Sequence, residues 1–128
     1  MSVVVDTSAV VELLLGRSHG RAVSEAIGEQ ELFAPELLVL EVLSVLRRLV
    51  LNDALSADRA ELALQDLNDL QIRWIPMFEL MDRAWQLRES VSAYDAMFLV
   101  AADAVGGRVI TCDARLSRAA PGLTIPVP

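Results

Sequence analysis

"VVVDTSAVV", residues 3 to 11, is the stretch on which the fold turns. Three consecutive β-branched apolar residues suit a strand covered on both faces of a parallel sheet, since such a strand has no solvent side on which to alternate. Asp6 closes the run, which predicts a strand over Ser2 to Asp6. Apolar residues at helical spacing follow from Ser8 to Leu15, and Gly16 stops them. A strand that passes into a helix through a carboxylate has two readings. Asp is a favoured helix N-cap, and a cap alone accounts for Asp6. The same position, outside the carboxyl end of a strand, is also where open α/β sheets gather their ligands.

Working outward, the alternation continues. "SHGRAVSEAIGE" reads as a short helix stopped near Gly28, and "ELFAP" as a strand ending before Pro35. "PELLVLEVLSVLRRLVL" has the strongest helical pattern of the chain, with Pro35 placed to start it. In "SADRAELALQDLNDL", Ser56 is the expected N-cap of a helix whose Leu62, Leu67 and Leu70 fall at helical spacing. "QIRWIP" predicts a strand, "ELMDRAWQLRES" a helix, "SAYDAMFLVAADAVGG" a helix with a glycine stop, and "RVITCD" a strand. "LTIPVP" is expected to form a last edge strand, where its prolines are tolerated. Strands alternating with helices predict one α/β domain over residues 1–128, with a central parallel sheet of four or five short strands and helices on both faces.

The totals narrow the function. Hydrophobic residues make up 54% and mean hydropathy is +0.43, but charged residues cut every apolar run short of the roughly 18–20 residues that span a bilayer. No membrane association and no export signal are expected, and the cytoplasm is the expected location. The lone Cys112 can form no internal disulfide, which agrees with a reducing compartment. A net charge of −7 argues against holding nucleic acid by bulk electrostatics, so any nucleic-acid chemistry needs a local device. All eleven basic residues are Arg. With no Lys, a haloacid-dehalogenase-like phosphatase, a receiver domain and a P-loop nucleotide triphosphatase are set aside, because each uses a lysine beside its phosphate or acidic pocket.

Four acids are candidates for chemistry. Asp6 and Asp113 close the strands "VVVD" and "VITCD" at equivalent places. Asp95 stands in "SAYD", a capping box with Ser92 as N-cap, which explains it without any chemistry. Glu41 falls by periodicity on a polar arc with Glu36, Ser44, Arg47 and Arg48, although its immediate flanks are apolar. Asp103 reads as surface charge.

In this order and spacing, "VVVDTS", "PELLVLEVLSVLRRL" and "SAYDAMFLVAADAVGGRVITCDARL" resemble the PIN-domain ribonucleases, and the small size resembles their VapC-type toxin branch. The resemblance spans nearly the whole chain. It rests on the strand into Asp6, Thr7 and Ser8, the Glu within the long helix at Glu41, the "YDA" helix opening at Asp95, and the strand ending in Thr, any residue, Asp at Thr111 and Asp113. It implies a Mg²⁺-dependent endoribonuclease, Mn²⁺ being the other fitting ion, with Asp6, Glu41, Asp95 and Asp113 as metal-holding catalytic carboxylates. Thr7, Ser8 and Thr111 would hydrogen-bond those carboxylates or the substrate. It further implies an RNA substrate, a cognate VapB-type antitoxin and a homodimer.

Four ionised carboxylates about 5 Å apart would repel by roughly 3 kcal/mol per pair at an effective dielectric constant of about 20, so such a pocket must take up protons or a cation. Oxygen-only ligands favour hard ions. Arg17, Arg21, Arg47, Arg48, Arg115 and Arg118 are candidates for phosphate contact, with solvated surface the competing role, and His19 is a further candidate ligand. A second function class fits the same acids: a non-catalytic domain that binds a cation for stability or docks a basic peptide.

Overall fold

The computed structural model describes residues 1–128. Val3, Val4 and Val5 are 0–1% exposed, and burying each contributes about 1.5–3 kcal/mol. They form β1 (Ser2–Val5), the middle strand of a five-stranded, all-parallel sheet. Its partners are β2 (Glu31–Pro35) on one side and β4 (Val109–Thr111) on the other, with β3 (Arg73–Ile75) and β5 (Thr124–Pro126) at the edges. The order is β3-β2-β1-β4-β5. The chain therefore builds outward from β1 in one direction, then crosses back to start on the other side. The reversal lies between β1 and β4, which pair through Val4 with Val109 and Val5 with Ile110.

Parallel pairing requires helical crossovers. These are α1 (Thr7–Leu14), α2 (Gly20–Ile27), α3 (Leu37–Leu51), α4 (Ala57–Asp69), α5 (Met81–Trp85), α6 (Ala93–Ala104) and α7 (Ala114–Ala119). Helix α6 buries six of its twelve residues, Phe98 and Leu99 among them. Its exit is sterically specified. Gly106 adopts φ +69°, and a Cβ on Gly107 would stand 2.3 Å from the Ser2 carbonyl oxygen, so the turn into β4 runs against β1 as only glycine allows.

The structure departs from the sequence expectation at three places. Pro35 does not start α3 but ends β2, with Glu36 between them. The β1–β2 ladder stops at Phe33, so the missing N–H at Pro35 breaks no bond with β1. The helix expected over "ELMDRAWQLRES" is a 3₁₀ turn at Phe78–Leu80, the five-residue α5, and turns to Ser90. Within that stretch only Leu80 and Ala84 are buried, too little apolar contact to hold a longer helix. Finally, α7 was not anticipated. Six residues with a single buried side chain, Leu116, leave no periodic trace in the sequence. No helix is long and apolar enough to cross a membrane.

Candidate active site

Where strand order reverses, the loops leaving the two neighbouring strands part and open a crevice. Asp6 follows β1 and Asp113 follows β4 at this reversal, one residue past Cys112. Asp6 caps α1: its Oδ1 accepts from the Ala9 N–H at 3.0 Å and from the Ser8 hydroxyl at 2.6 Å. Asp113 caps α7, accepting from Arg115 N–H at 2.9 Å and Leu116 N–H at 3.3 Å. Both capping explanations therefore hold, and the two carboxylates are also near enough for the Asp113 charge to act on Asp6.

Ser8 ties the two strands together. Besides donating to Asp6, its Oγ accepts from the Cys112 N–H at 2.9 Å and lies 3.3 Å from the Thr111 hydroxyl. Thr111 in turn accepts from the Asp113 N–H at 2.9 Å. Glu41 projects from the second turn of α3 and accepts a 2.5 Å hydrogen bond from the Thr7 hydroxyl, 34 residues away in sequence. It is not on a solvated face, as its helical arc implied, but half-buried beside the first turn of α1. Asp95 lies at the first turn of α6, where Ser92 caps its N–H at 3.1 Å. A single Arg115 nitrogen, Nη2, is 3.6 Å from Asp95 and 3.4 Å from Asp113, so these two acids share one cation.

Hydroxyls and a guanidinium thus link Asp6, Asp113 and Asp95 to one another, and Thr7, next to Asp6 in the chain, holds Glu41. As the side chains stand, no three of the chain's Asp, Glu, His and Cys groups converge as ligands of one ion. The electrostatics are those of a site short of positive charge. Asp6 is held above the ordinary carboxylate range chiefly by burial, against the lowering influence of its bonds to Ser8, Thr111 and Ala9, and the Asp113 charge raises it further. Burial, with Asp6 and Glu12 nearby, pushes the Cys112 thiol up to about 11.

The other candidates lie elsewhere or are already partnered. His19 Nδ1 is 2.8 Å from Glu12, at the start of α2. Arg17 pairs with the same Glu12 and Arg21 with Glu25, while Arg47, Arg48 and Arg118 are exposed without ion pairs. Asp103, read as surface charge, is exposed and pairs with the likewise exposed Arg83. The specific place of Arg115, held between two acids, had no separate signal in the sequence, where it was one of six arginines of equal standing.

The model of the PIN domain matches residues 3–121. The chain belongs to the PIN-domain family. This PIN domain is 39% identical over 122 residues to ribonuclease VapC1 of Mycobacterium tuberculosis, an alignment covering 94% of this chain and 91% of that one. Ribonuclease VapC9 of the same organism is 36% identical over 115 residues, covering 90% and 88%. Identity at this level over nine-tenths of both chains puts this PIN domain in the VapC branch. Among solved structures it resembles a toxin–antitoxin complex from Klebsiella pneumoniae, with a TM-score of 0.67, 17% identity and 98% coverage of both chains, a likeness of fold.

Proposed function

We propose that this chain is a divalent-metal-dependent endoribonuclease that hydrolyses RNA phosphodiester bonds and acts as the toxin of a toxin–antitoxin pair. The observation that supports the reading is the chain of contacts at the reversal of strand order: Ser8 and Thr111 link Asp6 to Asp113, Arg115 links Asp113 to Asp95, and Thr7 holds Glu41 beside the first turn of α1. Membership of the VapC branch supports RNA as the substrate.

The donor set fits a hard cation such as Mg²⁺ or Mn²⁺, because all four carboxylates offer only oxygen. The burial that holds Asp6 above its ordinary range also fits, since a nearby cation would favour the ionised form. Asp6, Glu41, Asp95 and Asp113 are the residues that would hold the ion. When bound, it supplies a water of lowered pKa and charge compensation for the phosphate undergoing attack.

The remaining work belongs to the chain. Ser8 and Thr111 fix Asp6 and the loop that carries Asp113. Thr7 orients Glu41 through its hydroxyl, in the way that outer hydrogen-bond partners set metal-binding carboxylates. One of these carboxylates would accept the proton of the attacking water.

Partners follow from surface chemistry. Val39, Leu40 and Leu43 on α3, together with Phe78, Met81 and Trp85, are 43–83% exposed. Apolar side chains so displayed support contact with a cognate VapB-type antitoxin and with a second copy of the chain.

The test is cleavage of a mixed RNA pool by purified protein in Mg²⁺, in EDTA, and by the Asp6→Asn and Asp95→Asn variants. Cleavage should require the metal and fall by at least about 100-fold in each folded variant. A stable protein that binds Mn²⁺ and cuts no RNA would replace the proposal with a non-catalytic cation-binding domain.

A further inference from the structure

Arg115 presents one nitrogen, Nη2, to two carboxylates at once, 3.6 Å from Asp95 Oδ2 and 3.4 Å from Asp113 Oδ2. Its backbone N–H meanwhile bonds the other oxygen of Asp113, Oδ1, at 2.9 Å. The guanidinium therefore already supplies positive charge to two of the carboxylates that would hold the ion. Resting on the metal-dependent reading above, we propose that Arg115 is a built-in competitor for the metal: its guanidinium and a divalent ion take the same two carboxylates in exchange.

Three properties make the exchange workable. The Arg115 side chain is 74% exposed, whereas those of Asp95 and Asp113 are 24% and 32% exposed. The guanidinium can swing into solvent while the acids stay in place, and contacts this long and this exposed are cheap to break. Arg keeps its charge at any physiological pH, so the competition is set by cation concentration and ionic strength rather than by protonation. The contact is also specific to one side chain. Arg118, one turn further along α7, carries the same charge, is exposed and makes no ion pair. The consequence is a threshold: free divalent ion must exceed the level at which it outcompetes the tethered guanidinium before Asp95 and Asp113 can serve it.

The experiment is Mn²⁺ titration of chelator-stripped, desalted protein by calorimetry, comparing wild type with Arg115→Gln, Arg115→Lys, Arg118→Gln and Asp6→Asn. Arg115→Gln should bind Mn²⁺ about three- to tenfold tighter, the size expected for removing two exposed ion pairs. Arg115→Lys should stay near wild type, and Arg118→Gln should change affinity by less than about twofold, since exposed charges are screened. Equal tightening in Arg115→Gln and Arg118→Gln, or none in either, overturns the competition and leaves the metal site intact. Absence of any Mn²⁺ binding that Asp6→Asn abolishes would overturn the metal site itself.

Discussion

Removing one oxygen atom from Ser8 should damage the protein more than its half-buried position implies. In Ser8→Ala, Asp6 loses the 2.6 Å bond it accepts and the Cys112 N–H loses the acceptor 2.9 Å away. A hydrogen bond to a charged group contributes about 1.5–3 kcal/mol, and an orphaned partly buried N–H costs about 1–3 kcal/mol. The two losses share one atom and do not simply add, and the better helix propensity of Ala returns about 0.5 kcal/mol. A net loss of about 2–3 kcal/mol is expected. With an unfolding entropy of about 2.1 cal/mol/K per residue, a chain of this length should melt about 7–11 °C lower. Differential scanning calorimetry at pH 7 reads this directly. A melting temperature within about 2 °C of wild type would refute the role of Ser8 as the tie between β1 and β4.

Three further outcomes follow from named contacts. Because burial raises Asp6 above 3.8, the folded state binds more protons than the unfolded state over the acidic range above that value. Stability in EDTA should therefore fall as pH rises through that window, and Asp6→Asn should flatten the slope in thermal melts taken from pH 4 to 7. An unchanged slope would remove Asp6 as its source. Gly107→Ala, whose new Cβ would meet the Ser2 carbonyl at 2.3 Å, should cost about 2–4 kcal/mol in urea unfolding, while Gly122→Ala, with nothing within 4 Å, should cost less than about 1 kcal/mol. With its thiol pushed up to about 11, Cys112 should react with a disulfide reagent at pH 8 at least tenfold more slowly than in urea-unfolded protein. Equal rates would contradict the half-buried, anionic surroundings assigned to it.

What the sequence made legible follows what a local pattern can encode. The strand at Val3 to Val5, the long α3, the Ser56 cap of α4 and the Ser92 cap of α6 all announce themselves within a few neighbouring residues, and all appear where expected. The five-stranded parallel sheet follows from the alternation of these units. The errors have a common origin. Periodicity alone leaves Glu41 on a polar arc or lining a cleft, because it reports only on its own helix, whereas Thr7, 34 residues earlier, holds its side chain. The sharing of Arg115 between Asp95 and Asp113 is likewise a contact between segments. The brevity of α5 and the existence of α7 depend on how much apolar surface the rest of the molecule offers them. Asp6 and Asp113 are the most informative positions because one residue type there both caps a helix N-terminus and stands at the reversal of strand order.

The pairing of β1 with β4 has a consequence for when this protein comes into being. Val4 and Val5 find their partners at Val109 and Ile110, so the central strand waits for more than a hundred residues of translation before its second neighbour exists. Contacts of such long sequence range slow folding. A ribosome that terminates before residue 109 therefore releases a fragment in which Asp6 has no facing strand, and the two aspartates come together only in a molecule made through the crossover into β4.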